Sequence, residues 1–279
     1  CNISAFAFVN YAFIVAYLRQ QYDVGARFGH AAIALANAQP SLSIRASTHF
    51  LYATFTNHWQ QPLASSQQYY DDAYHWSLES GDFATVGYII AVRSTDRVIQ
   101  GSPLNELLTS CERDLLLLRA TGQQDMVDCT QGGSVQSIKN LMGQTKNDDS
   151  YDDDSFNEAQ FLNDYAAQPL HLAYFYHGKI RNAFLFDSAN AEALAKQLPI
   201  VEQFVPGQCK IPEATFYAAL IWQRALQRQP ERADHAQLAE VVAQLSGKMA
   251  AWAQQCPANF AAKSLLLAAQ SASLRQDVA

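Results

Sequence analysis

The chain has 279 residues, 49% of them hydrophobic and 16% charged, with a net charge of −7. This is enough apolar material for a large core or for a stack of repeats that bury their faces on one another. No cluster of Lys and Arg stands out, which excludes the electrostatic footprint of a nucleic-acid binder.

Residues Ile3 to Leu18 are mostly apolar, interrupted by Ser4 and Asn10. At about 1.5 Å per residue the stretch is marginal for a bilayer, and it predicts a buried helix. Cys1 would suit a lipid-modified N-terminus, yet a helix begins at once with no polar tether. The simpler expectation is a chain cut from a longer protein.

Breaks then recur at a fixed interval. Pro40, Gly81 and Gly122 are 41 residues apart, as are Pro62 and Pro103. The two series interleave, and self-similarity at such a period predicts stacked helical hairpins. Gln21 to Ala38 places Val24, Phe28, Ala31, Ala32 and Leu35 on one helical face. Pro62 opens a helix over Leu63 to Ser80. Gly81 and Asp82 read as a C-terminal glycine followed by the next N-cap. After Pro103, the residues Leu104, Leu107, Leu108, Cys111, Leu115 and Leu118 line another face.

Beyond Gly122 the period fades. Gln123 to Gly143 is polar yet plausibly helical. Lys146 to Asp154 reads as a solvated, mobile acidic loop. Helices resume near Ser155 and Pro169, turn at Asp187-Ser188, break at Pro206-Gly207 and restart at Pro212. Over Ala233 to Gln255, the residues Leu238, Val242, Leu245, Met249 and Trp252 follow a 4, 3, 4, 3 spacing. This is a two-helix seam. Its partner is either the preceding helix (Phe216, Ala219, Leu220, Ala225, Leu226) or the one after Pro257. No strand alternation is sustained. The reading is therefore all-α, a tetratricopeptide-like α-α superhelix of about thirteen helices. Residues 1–143 form regular hairpins, 144–154 an acidic loop, and 155–279 further hairpins ending in a C-terminal capping helix.

Chemistry-bearing patterns are sparse. An EF-hand loop started at Asn147 puts Glu158 at its twelfth place, but Asp152 stands where the turn needs glycine, and Tyr151 occupies the fifth place. No HExxH occurs. His171 and His177 lie about 240° apart on a helix and cannot share a metal. His58 and His75 read as packed or partly exposed helix residues. Gly132-Gly133 lacks the Lys-Ser/Thr of a phosphate loop. The five cysteines, Cys1, Cys111, Cys129, Cys209 and Cys256, are scattered, which suits reduced thiols used as small apolar residues. Tyr69-Tyr70, Tyr74, Trp76 and Tyr174-Phe175-Tyr176 could line a concave groove, but in stacked helices aromatics more often fill gaps. No catalytic, cofactor-binding or metal residue is singled out, and no cofactor is expected.

Several strings together resemble a known family. They are Tyr22-x-x-Gly25-x-x-Phe28-Gly29; His58-Trp59-x-x-Pro62-Leu63; Glu79-Ser80-Gly81-Asp82; and Trp252-Ala253-x-x-x-Pro257-x-Asn259-Phe260-x-x-Lys263. Their order resembles the tetratricopeptide-like segment of large bacterial signalling proteins. Those carry a Ser/Thr-kinase-like domain and an AAA-type ATPase before it, and often a GAF domain and a histidine kinase after it. The resemblance implies a cytoplasmic, non-catalytic sensor or scaffold segment. Such a segment would bind a protein, a peptide or a small ligand and relay to flanking domains, with no nucleic acid and no membrane span. An all-α enzyme with a dispersed site, and a free-standing ligand-binding lipoprotein, remain the alternatives.

Overall fold

A computed structural model describes residues 3–276, so the reading of Cys1 lies outside the described residues. The chain is 78% helical, and no strand occurs among the described residues. The helices are α1 Ser4–Phe13, α2 Tyr22–Asn37, α3 Leu42–Phe55, α4 Ser66–Ser80, α5 Phe83–Ile99, α6 Leu104–Ala120, α7 Gln124–Thr130, α8 Gln136–Leu141, α9 Glu158–Asp164, α10 Pro169–Leu185, α11 Ala191–Ala195, α12 Leu198–Phe204, α13 Lys210–Arg228, α14 His235–Gln255 and α15 Pro257–Gln276. None of them is long and apolar enough to cross a membrane. Two compact units result, residues 1–135 with 206–209, and residues 136–205 with 210–279.

In the first unit each helix from α1 to α7 packs on its successor. The alternate pairs α1 with α3, α3 with α5 and α5 with α7 also touch. Short turns create this order. Asp82 accepts from Thr85 N at 3.1 Å and caps α5, directly after Gly81, whose φ of +73° closes α4. Left-handed glycines recur at 81, 101, 122 and 143. The half-period of about twenty residues thus runs one turn past Gly122, where the polar composition hid it.

Two expectations for this unit need correction. The N-terminal segment is buried on one face only. Ala5, Val9, Ala12, Val15 and Ala16 are buried, whereas Ile3, Phe6, Tyr11, Ile14 and Leu18 are exposed. On α2 the buried face is Tyr22, Gly25, Gly29, Ala32 and Ala36, rotated from the face carrying Val24, Phe28 and Leu35. Close approach explains the choice. A Cβ on Gly25 would lie 2.6 Å from Ala16 Cβ, and one on Gly29 would lie 2.7 Å from the Tyr52 ring. The smallest residues mark the tightest contact, so apolar bulk points to the wrong side.

In the second unit α10 packs against α8, α11, α12 and α13, and α13, α14 and α15 pack mutually. The seam of α14 is buried as expected: Leu238, Val242, Leu245, Met249 and Trp252 are each at most 8% exposed. It faces both proposed partners.

The acidic loop is not loose. Asp153 Oδ2 accepts from Lys139 Nζ at 2.8 Å, and its Oδ1 accepts from Ser155 N and Phe156 N. Burial opposes ionisation of this carboxyl, but the hydrogen bonds from Lys139, Ser155 and Gln136 outweigh it and hold the pKa well below the usual range. Glu158 Oε2 accepts from Lys179 Nζ and from Tyr151 N, each at 2.6 Å. Tyr151 is wholly buried between Phe175 and the Lys179 ammonium. Loop acids read as solvated are anchors, because their cationic partners lie on distant helices.

Candidate ligand groove

Helices α13, α14 and α15 border an open surface trough of about 750 Å³ within the second unit, and Ala243, Gly247, Ala250 and Ala268 along it are exposed. Its origin is a deficit of side chain. Beside the buried seam, α14 presents Ala239, Ala243, Gly247 and Ala250, and α15 answers with Ser264, Ala268 and Ser271. Methyls and hydroxyls cannot fill the space between helices held apart by Leu238, Leu245, Met249 and Trp252. Leu226, Val242 and Leu274 add aliphatic walls, while Gln227 and His235 stand where α13 ends and α14 begins. Among the described residues no Asp, Glu, Lys or Arg lines the trough. Ser246 Oγ is buried in it without a hydrogen-bond partner.

Gly247 is the telling residue. Glycine inside a helix costs about 1 kcal/mol relative to alanine. Gly25, Gly29 and Gly87 offset that cost through close contacts, but a Cβ on Gly247 would meet nothing within 4 Å. Gly247 is exposed, and no neighbouring helix requires its missing side chain.

Ionisable groups gather elsewhere in this unit. On α10, His177 is buried with its Nε2 unpartnered. Burial, then Arg181, Lys210 and Lys263, push its pKa well below the ordinary imidazole value, so the ring is neutral. Lys263 Nζ pairs with Glu213 at 2.7 Å, and Lys210 Nζ lies 4.3 Å from the Tyr174 ring centre. Arg181 and Asn182 bond to Ser137. This cluster borders neither the trough nor a smaller pocket of about 210 Å³ beside Asp187. In that pocket Asp187, held in a left-handed turn, binds Arg224 and Arg228 at 3.0 and 2.7 Å. The Arg228 hydrogen bond holds its carboxyl below the usual range.

His58 and His171 are buried, and His75 is exposed beside Glu79 at 3.6 Å. Among the described residues no three His, Cys, Asp or Glu side chains are placed to share a metal. Gly132 and Gly133 lie in a buried π-helical turn, residues 131–135. Cys111, Cys129, Cys209 and Cys256 are buried, and burial raises the Cys111 thiol to about 12. Tyr70, Tyr174 and Phe175 fill the core, and Tyr70 donates to Asp96 at 2.8 Å. Trp76 is half-buried, taking the edge of His49 at 4.8 Å. The aromatics therefore fill gaps between helices, and the trough is built without them. No family model, curated protein or solved structure matches the chain.

Proposed function

We propose that the chain is a non-catalytic helical-repeat segment that binds an apolar ligand or partner and relays its occupancy to flanking domains. The observation that carries this is the composition of the trough. It has the volume of a small-molecule site, between ~300 and ~1,000 Å³, and among the described residues His235 is the one ionisable side chain that lines it. Such a wall can bind but offers little for proton transfer or nucleophilic attack. The successive and alternate helix contacts of the first unit support a tetratricopeptide-like superhelix. The family strings support a place in a cytoplasmic bacterial signalling protein beside kinase and ATPase domains. The rival reading, an all-α enzyme, would draw on the His177 cluster, none of whose residues lines either cavity.

The test is Ala243→Phe in the full-length open reading frame. The output of the flanking kinase or ATPase should change while the melting temperature holds. An unchanged output, or a reading frame without such domains, would overturn the relay.

A further inference from the structure

We propose that the exposed face of the N-terminal helical segment, Ile3 to Leu18, packs against the same face of a second copy of this chain. The two segments run antiparallel about a two-fold axis between Asn10 and Tyr11. The surface lies wholly on the first unit.

Composition marks the face. Between Ile3 and Leu18 there is no Asp, Glu, Lys, Arg or His. The side turned inward is small, with Ala5, Ala12 and Ala16 buried, while the bulk points outward. Ile3, Phe6, Tyr11, Ile14 and Leu18 are each 40–69% exposed. An amphipathic surface helix has the opposite arrangement, and a contiguous apolar patch of this kind marks an interaction surface. At about 200 Å² for a large side chain, these five expose about 500 Å². Two copies together would bury about 1,000 Å², the size at which specific interfaces begin.

Spacing selects the second copy as the occupant. Ile3, Ala7, Asn10, Tyr11, Ile14 and Leu18 share one stripe of the helix and are separated by 4, 3, 1, 3 and 4 residues. That series reads the same in both directions. In an antiparallel pair Ile3 therefore meets the partner's Leu18, Ala7 meets the partner's Ile14, and Asn10 meets the partner's Tyr11. Every contact then occurs twice, as an isologous interface requires. Sizes match as well, because the small Ala7 leaves room for the branched Ile14. Asn10 Nδ2 donates to the Phe6 carbonyl at 2.8 Å, which leaves its Oδ1 to accept from the hydroxyl of the partner's Tyr11. An unrelated helix would demand no such symmetry. A helix lying on a bilayer carries Lys and Arg beside its apolar stripe, whereas this stripe has none and the chain has a net charge of −7.

The experiment is sedimentation equilibrium of the full chain over about 1–200 µM, the range suited to an interface of the smallest specific size. The mass should rise from 30.9 kDa to twice that value. Ala7→Glu and Ile14→Lys should each keep the chain monomeric at every concentration, with the melting temperature of the dilute chain unchanged. Combined in one chain they should restore the dimer, because position 7 faces position 14 of the partner. A single-chain mass throughout, a dimer indifferent to either substitution, or no recovery in the double variant would each overturn the proposal. Capture of a monomeric chain by phosphatidylcholine vesicles would overturn it too, and would assign the face to lipid.

Discussion

Replacing Lys179 by methionine removes the clamp on the acidic loop. Lys179 Nζ donates to Glu158 Oε2 at 2.6 Å and to the Asp149 carbonyl at 2.9 Å, and it lies 4.3 Å from the Tyr151 ring centre. Its side chain is 3% exposed and that of Glu158 is 19% exposed, so water cannot replace the lost partner. Removing one member of such a buried pair costs about 3–5 kcal/mol. For a unit of this size that lowers the melting temperature by about 10 °C. Thermal unfolding followed by circular dichroism reads the shift. Trypsin reads the loop, because Lys146 should become cleavable in the variant and resist in the native chain. A cycle with Glu158→Gln should show coupling above about 0.5 kcal/mol. An unchanged melting temperature together with an uncut loop would show that the pair does not hold the segment.

Two further outcomes are expected. Trp252→Ala should cost about 3–5 kcal/mol, since the indole is buried in the α14 seam beside Phe260, and denaturant unfolding with an unmoved midpoint would refute the seam. His49 is held to about 4 by burial, with Asp72 opposing and Arg45 assisting, against an ordinary 6.5. Its folded pKa is depressed, so its contribution is fully present above about 6.5 and is lost as pH falls toward 4, roughly 3 kcal/mol in all. Urea titrations at pH 7 and pH 4.5 should find the native chain losing about 2.5 kcal/mol more than His49→Phe, and parallel losses would refute it.

The turns were legible because glycine and proline act locally. Gly81, Gly122, Pro103 and Pro257 mark real helix ends, and the α14 seam could be read because five bulky residues share one stripe. Contacts made by small residues were not legible. Gly25 and Gly29 bury the face of α2 because they are small, which inverts the usual weight given to bulk. The acidic loop was misread because Asp153 and Glu158 find Lys139 and Lys179 only after α8 and α10 are placed. The trough escaped notice because it is made of what side chains leave empty. Gly247 in the middle of a 21-residue helix was its one local sign.

The left-handed glycines at 81, 101, 122 and 143 also say something about handedness. A Cβ at each would meet nothing within 4 Å, so size is no constraint at these turns. The constraint is mirror symmetry alone: an L-residue is strained at that φ, whereas a D-residue adopts it as its own ground state. D-alanine installed by chemical ligation at any of the four should be accepted without repacking. By narrowing the unfolded ensemble it should add about 0.4–1 kcal/mol at each turn. What these reversals require is a handedness and not a size, and glycine, the single achiral encoded residue, meets it.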